Sequence, residues 1–310
     1  MIWLIGSNGM LGTEIARELK ENSVDFIGTD IDVDITNIDA LRSFAKGKVI
    51  DWIINCAAYT AVDKAESDEV LADKLNNTAP GNIAKVAKES GAKLIHISTD
   101  YVFDGTGNTP RTEEMPVAPL GVYGVTKAKG EKSVISNTDE YYILRTAWLY
   151  SWHGKNFVYT MIRAMNTHDA VKVVSDQRGT PTFGPTLANI ILKIINQNST
   201  LENKNSHDEI PSKPSVPYGI YHCTDEGETT WFEFTKEIKR QAVELGLVTN
   251  KDCTVNPCTT EEYPTPAKRP AYSVLSKAKI QNALNIRLPQ WQDSLSEFLK
   301  SGLFEKDRIM

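Results

Sequence analysis

The stretch Ile2-Trp3-Leu4-Ile5-Gly6-Ser7-Asn8-Gly9-Met10-Leu11-Gly12 decides the fold. Four apolar residues in a row predict a strand buried on both faces. Glycines at 6, 9 and 12 then make a tight turn, and Leu11, Ile15 and Leu19 recur every four residues, the stripe of an amphipathic helix. A strand running through such a turn into a helix offers backbone N–H groups and the positive end of a helix dipole to an anion. The turn is a candidate pyrophosphate cradle, with Gly6, Asn8, Gly9, Met10 and Leu11 nearest the ligand. Its spacing is GxxGxxG rather than GxGxxG, and a plain strand–helix turn can carry the same glycines, so the rest of the chain has to support the reading.

The alternation continues outward from this unit. Strands are expected at Val24 to Thr29, Trp52 to Ile54, Leu94 to Ile97 and Tyr142 to Leu144. Asn37 is placed to cap a helix that turns Ile38, Leu41 and Phe44 inward, and residues 63–89 read as helical with a break near Pro80. This β-α-β order predicts an α/β fold, a Rossmann-like doubly wound parallel sheet with helices on both faces. After Tyr150 the rhythm loosens. Helices are expected at Phe157 to Met165, Pro185 to Ile195, 229–245 and 289–303, and strands at Val171 to Val174 and Gly219 to His222. Residues 196–217 are polar, hold three prolines and read as an exposed excursion. The expected layout is a dinucleotide domain of residues 1–150 with 183–222, and a smaller C-terminal substrate-binding lobe of residues 151–182 with 223–310.

Asp30 stands at the end of the second strand, where a carboxylate can hold both ribose hydroxyls of NAD and repel a 2′-phosphate. Asn55-Cys56-Ala57-Ala58 ends the third strand with small residues that let a cofactor pass close to the backbone. Tyr123 and Lys127, one helical turn apart, share a helix face, and Thr99 ends the fourth strand. A free phenol has a pKa of about 10. An adjacent ammonium is expected to lower it, making Tyr123 a proton donor or acceptor for a carbonyl that Thr99 hydrogen-bonds. A lone YxxxK is usually just a helix; here it follows a glycine turn and a strand-end threonine in the order a hydride-transfer site requires.

These segments carry a resemblance. Gly6 to Gly12, Asn55 to Asp63, Ser98-Thr99-Asp100-Tyr101-Val102-Phe103-Asp104-Gly105, Tyr123 to Lys127, Arg145-Thr146-Ala147-Trp148-Leu149-Tyr150, Asp176 to Thr182 and Arg269-Pro270 resemble the extended short-chain dehydrogenase/reductases, and within them the dTDP-4-dehydrorhamnose reductase family. The resemblance spans nearly the whole chain. It implies NAD(P)H-dependent reduction of the C4 ketone of dTDP-4-dehydro-L-rhamnose, with NADPH or NADH as cofactor. It implies Thr99, Tyr123 and Lys127 as the catalytic triad, with Asn76 supporting the proton relay. Ala57, Ala58 and Tyr59 fall with the glycine turn, Asp30, Tyr123 and Lys127 on the cofactor side. Thr99, Asp100, Tyr101, Val102 and Trp148 fall where the family contacts the sugar, and Asn156, Gln177 and Arg269 lie toward the nucleotide. Tyr101 occupies the position of the glutamate that does elimination chemistry in related 4,6-dehydratases, which turns the expectation from dehydration to reduction. Some family members dimerise around magnesium. Glu14 matches the first ligand but no glutamate stands near Asn189 for the second, so Mg2+ is doubtful and the chain is expected to be a monomer or homodimer. Another nucleotide-sugar reductase or epimerase, or a non-enzymatic subunit like the regulatory partner of methionine adenosyltransferase, stays open as an alternative.

The chain has 310 residues, long enough for a full core, with 24% charged and 41% hydrophobic residues. A net charge of −6 argues against general nucleic-acid affinity. Cys56, Cys223, Cys253 and Cys258 show no metal-ligand spacing and read as reduced thiols; no metal site is expected. The apolar N-terminus lacks a basic leader and no apolar run reaches the length of a membrane span, so the expected setting is cytoplasmic, without a membrane partner.

Overall fold

The computed structural model describes residues 1–198 and 215–309; most of the polar excursion, 199–214, lies outside the described residues. The first half runs β1 (Ile2–Ile5), α1 (Met10–Glu21), β2 (Phe26–Thr29), α2 (Ile38–Ala45), β3 (Trp52–Asn55), α3 (Val62–Ala65), α4 (Glu69–Asp73), a π turn (Lys74–Thr78), α5 (Ala79–Ser90), β4 (Lys93–Thr99), α6 (Val122–Asn137) and β5 (Tyr141–Thr146). The second half adds β6 (Leu149–Tyr150), α7 (Phe157–Thr167), β7 (Ala170–Val174), β8 (Arg178–Gly179), β9 (Thr182–Phe183), α8 (Gly184–Asn198), β10 (Gly219–His222), β11 (Thr229–Thr230), α9 (Trp231–Glu244), β12 (Thr254–Cys258), α10 (Ala278–Leu284) and α11 (Trp291–Lys300).

The sheet is the expected Rossmann-like one. Its six strands are all parallel, in the order β10-β5-β4-β3-β1-β2. The apolar runs Ile2–Ile5 of β1 and Trp52–Ile54 of β3 lie inside it, buried on both faces. The chain leaves β1 toward β2 and returns to β3 on the other side, so the crevice beyond the ends of β1 and β3 is the topological switch point, where open α/β sheets bind ligands. Helix α1 starts there, held close to the turn: a Cβ on Gly12 would come within 2.0 Å of the Gly6 carbonyl oxygen.

Three large cores and one small one hold the described residues together. Ile15 and Leu19 of α1 join Leu187 and Ile191 of α8 on one face of the sheet, each fully buried. Each such side chain contributes about 1.5–3 kcal/mol. Leu41, Ile83, Ala87 and Val134 cover the other face. The third core is aromatic: Tyr150, Trp152, Phe183, Phe234 and Phe298 bring β6, β9, α7, α9 and α11 together. Ile280 and Leu284 of α10 pack with the sheet rather than with this third core.

Some local expectations change. Asn37 does cap α2, accepting from the N–H groups of Asp39 and Ala40. The 63–89 helix breaks at residues 66–68 rather than at Pro80, and widens into the π turn just before that proline. Pro80 has no N–H to give the Asn76 carbonyl, which removes one rung of an α ladder at that place. Strand β12, parallel to β7, and helix α10 were not expected. Pro257 inside β12 argues against a strand by pattern, and is tolerated in a two-stranded ladder that has open edges.

Candidate active site

A cavity of about 840 Å³ opens at the switch point. Gly6, Gly9, Met10 and Leu11 form one wall, Asp30 the far end, and Cys56, Ala57 and Ala58 the floor beyond β3. Thr99, Asp100 and Tyr101 reach in from the end of β4, Tyr123 and Lys127 from α6, and Ala147 and Trp148 from the end of β5. The N-cap of α1 is Gly9, with no side-chain cap, so the first N–H groups of the helix remain for an anion. Asp30 accepts from the Asn8 N–H at 3.0 Å, which fixes its carboxylate against the turn. These features fit a dinucleotide: an uncapped helix start for the pyrophosphate and an acid for the ribose.

At the other end, the Tyr123 phenol lies beside the Thr99 hydroxyl. The Thr99 hydroxyl donates to Asp100 Oδ1 at 3.0 Å and accepts from the Tyr101 N–H at 3.2 Å. The Tyr101 ring meets Tyr123 edge to face, with centroids 5.5 Å apart. Lys127 donates from Nζ to the Ile97 carbonyl at 2.6 Å. Glu66 Oε1 accepts the Val122 N–H at 2.9 Å and so caps the helix that carries Tyr123 and Lys127.

The electrostatics correct one expectation. Lys127 does not pull the Tyr123 phenol down. Burial pushes the phenol up to about 12, with the Thr99 hydroxyl opposing and the Asp100 charge reinforcing. The reason is geometric: the Lys127 ammonium is turned into the Ile97 carbonyl, and burial pushes it down to about 8 against the pull of Glu131. Burial likewise pushes the Asp100 carboxyl up to about 6, opposed by the Ser273 and Thr99 hydroxyls. At neutral pH Tyr123 therefore holds its proton firmly and Lys127 remains mostly charged.

The family pattern described as RmlD substrate binding domain matches residues 1–303. The chain belongs to this family. It is 36% identical over 307 residues, 96% of both chains, to the dTDP-4-dehydrorhamnose reductase of Salmonella typhimurium. The crystal structure of a dTDP-4-dehydrorhamnose reductase from Clostridium acetobutylicum superposes with a TM-score of 0.84 at 44% identity, covering 96% of this chain and 98% of that one. A dTDP-4-dehydrorhamnose reductase from Bacillus anthracis, solved in complex with NADP, superposes at 0.82 with 36% identity, over 96% and 97% of the two chains.

Within this RmlD-family chain, several residues singled out from the sequence do not line the cavity. Asn76 is fully buried in the π turn; its amide accepts from the Tyr59 N–H at 2.8 Å and donates to the Tyr59 carbonyl and to Thr126 Oγ1. It ties the loop after β3 to the residue preceding Lys127. The Tyr59 hydroxyl donates outward to Asp68. Val102 is packed in a small core with Phe103, Ala128 and Leu275. Asn156 caps α7 and donates to the Ser151 carbonyl, and Gln177 donates to Thr260. Arg269 makes a two-pronged pair with Asp63, at 2.9 and 3.1 Å, and its charge lies close to the Tyr101 phenol at the edge of the site. Glu14 is fully buried against Ser151 and Arg17. No group of three metal-ligating side chains forms among the described residues.

The structure adds wall residues that the sequence reading passed over: Asp34, Thr146, Lys155 and Trp231. Thr146 sits inside the Arg-Thr-Ala-Trp block already quoted, so its signal was available. Lys155 and Trp231 come from the C-terminal half, and no local pattern points them at a crevice formed by the sheet.

Proposed function

We propose that the chain reduces the C4 ketone of dTDP-4-dehydro-L-rhamnose to dTDP-L-rhamnose, using NADPH or NADH. The observation that carries this reading is the meeting of Thr99, Tyr123 and Lys127 in one cavity with the glycine turn and Asp30. The names of the family relatives and the NADP bound to one of them support it.

Gly9, Met10 and Leu11 would hold the pyrophosphate, Asp30 the adenosine ribose, and Ala57 and Ala58 the passage toward Tyr123. When bound, the reduced dinucleotide supplies a hydride to C4. Thr99 turns its hydroxyl proton from Asp100 to the ketone oxygen and aligns it. Tyr123 gives that oxygen its proton; a phenol at about 12 keeps the proton until negative charge develops on the substrate. Lys127, held on the Ile97 carbonyl, places a positive charge beneath the site. Asn76 keeps α6, and with it Lys127, in register. Tyr101 gives the position no carboxylate for elimination, and burial pushes its phenol further up, away from base chemistry. Asp100 and Trp148 meet the sugar, and Arg269 at the rim lies toward the nucleotide.

In this reading residues 1–150 with 183–222 carry the dinucleotide and residues 151–182 with 223–310 carry the sugar side, α10 excepted, since it packs on the sheet. The chain works in the cytoplasm as a monomer or homodimer; among the described residues no helix is long and apolar enough to cross a membrane. Tyr123→Phe tests the assignment. Turnover is expected to fall by about 10² to 10⁴, the usual worth of a positioned proton donor, while NADPH affinity stays within about twofold. Near-normal turnover would remove Tyr123 from its role.

A further inference from the structure

Two tryptophans share the cavity wall, one at the end of β5 and one at the start of α9. The rings of Trp148 and Trp231 stack face to face, with centroids 3.6 Å apart and planes at 13°. Trp148 has φ +47°, one of three positive-φ residues other than glycine among the described residues. A bulky residue adopts that region only when its surroundings hold it there, and such strain gathers at ligand sites. The surroundings are visible. Trp231 covers one face of the indole and is backed by Phe157 at 4.4 Å. Gly179 lies at the edge of the ring, where a Cβ would come within 2.7 Å of Trp148 Cε2. The two supports belong to one device: Gly179 of β8 pairs with Thr229 of β11, two residues before Trp231. The corner itself is fastened by Thr182, whose N–H and hydroxyl donate to the Trp148 and Ala147 carbonyls.

We propose that Trp231 is a positioning residue for substrate binding: it holds Trp148 in its left-handed conformation so that the paired indoles present a flat apolar wall to the non-reacting face of the hexose ring. This rests on the reading of the cavity as a nucleotide-sugar site. A pyranose presents C–H groups on one face, and a fixed aromatic plane is the surface that takes them. The wall also sets aside the proton chemistry, so its loss acts on substrate affinity rather than on the reduction step.

The test compares Trp231→Ala, Trp231→Phe and Gly179→Ala with the unaltered protein, measuring KM for the 4-dehydro sugar nucleotide, kcat and the dissociation constant of NADPH. Loss of a stacked aromatic pair is expected to raise the sugar-nucleotide KM about five- to tenfold in Trp231→Ala, with kcat and NADPH affinity changed less than about twofold. Trp231→Phe keeps a stacking ring and is expected to restore KM to within about threefold. Gly179→Ala pushes on the edge of the same indole and is expected to raise KM as well, which keeps the proposal testable should Trp231→Ala fold poorly. Circular dichroism adds a readout of the stack, since the exciton signal of two coupled indoles is expected in the unaltered protein and lost in both Trp231 variants. An unchanged KM in Trp231→Ala or Gly179→Ala, or a loss of NADPH affinity equal to the loss for sugar nucleotide, overturns the proposal. Absence of any sugar-nucleotide turnover in the unaltered protein overturns instead the functional reading on which it rests.

Discussion

Two buried polar clusters meet on β4 and differ in one respect. Ser98 belongs to the first, where Glu131 accepts from Ser98 Oγ at 2.5 Å and from Arg145 at 2.9 and 2.7 Å. Both carboxylate oxygens are used, and the Arg145 guanidinium also lies 5.1 Å from the Phe103 ring. Thr99, the next residue, belongs to the second. There Asp100 Oδ1 accepts from Thr99, while Oδ2 makes no hydrogen bond of normal geometry among the described residues and has only the nearby Ser273 hydroxyl to ease its charge. The first cluster is closed and braces the sheet against α6. The second is left open, and it opens into the cavity. The scaffold carboxylate of Glu131 is satisfied within the protein; the Asp100 carboxylate at the site is held short of that, which leaves one of its oxygens to a ligand.

Variants can break this contrast. The largest effect on stability is expected from Arg145→Met, which strands a fully buried Glu131. Removing one partner of such a pair costs about 3–5 kcal/mol, read as a lower midpoint in urea with little change in the NADPH dissociation constant of the remaining folded protein. An equal loss of stability in Thr99→Val would erase the distinction.

Asp100→Asn sharpens it through pH. The Asp100 carboxyl is raised from 3.8 to about 6 in the folded chain. The folded state therefore binds the proton more tightly, and the contribution of this group to stability is present below pH 4 and lost as pH rises through about 6. The ionised group then costs about 3 kcal/mol. The unaltered protein is expected to lose most of that relative to Asp100→Asn between pH 4 and pH 7, measured as the difference between their urea midpoints. The difference is the right quantity, because Asp225, raised to about 7, and Glu113, also raised, titrate in both proteins. A constant difference across this range would mean that Asp100 is as well satisfied as Glu131.

The smallest effect is expected at the far end of the cavity. Asp30→Ser removes a partly exposed carboxylate from the ribose position, beside Asp32 and Asp34. Its repulsion toward a 2′-phosphate is worth about 1–2 kcal/mol in a solvated setting, so the ratio of NADPH to NADH affinity is expected to rise about tenfold. Competition between the two dinucleotides measures it, and an unchanged ratio would show that Asp30 does not meet the ribose.

What the sequence disclosed follows from how local each signal is. The β1–α1 unit was legible because strand, turn and helix stripe are contiguous, and Tyr123 and Lys127 because one helical turn fixes their common face. Strand β10 was legible as part of the sheet although the chain returns to it late. The π turn around Asn76 was not, because it depends on a missing proline N–H and on bonds to Tyr59 and Thr126, 17 and 50 residues away. Trp231 gave no sign of reaching the cavity, because the β8–β11 ladder that aims it joins segments far apart in the chain. The direction of the Tyr123 shift was also hidden. Spacing puts an ammonium on the same helix face, but only the fold shows that the ammonium is turned to Ile97 and that burial dominates.

The central claim is that this cavity carries hydride and proton to a sugar ketone. The direct measurement is nicotinamide absorbance with a panel of 4-keto nucleotide sugars and both reduced dinucleotides, paired with product analysis. The expected result is oxidation of one dinucleotide for each C4 ketone converted to a hydroxyl in dTDP-4-dehydro-L-rhamnose. Unchanged absorbance across the whole panel, from a protein that still binds the dinucleotide, would contradict it.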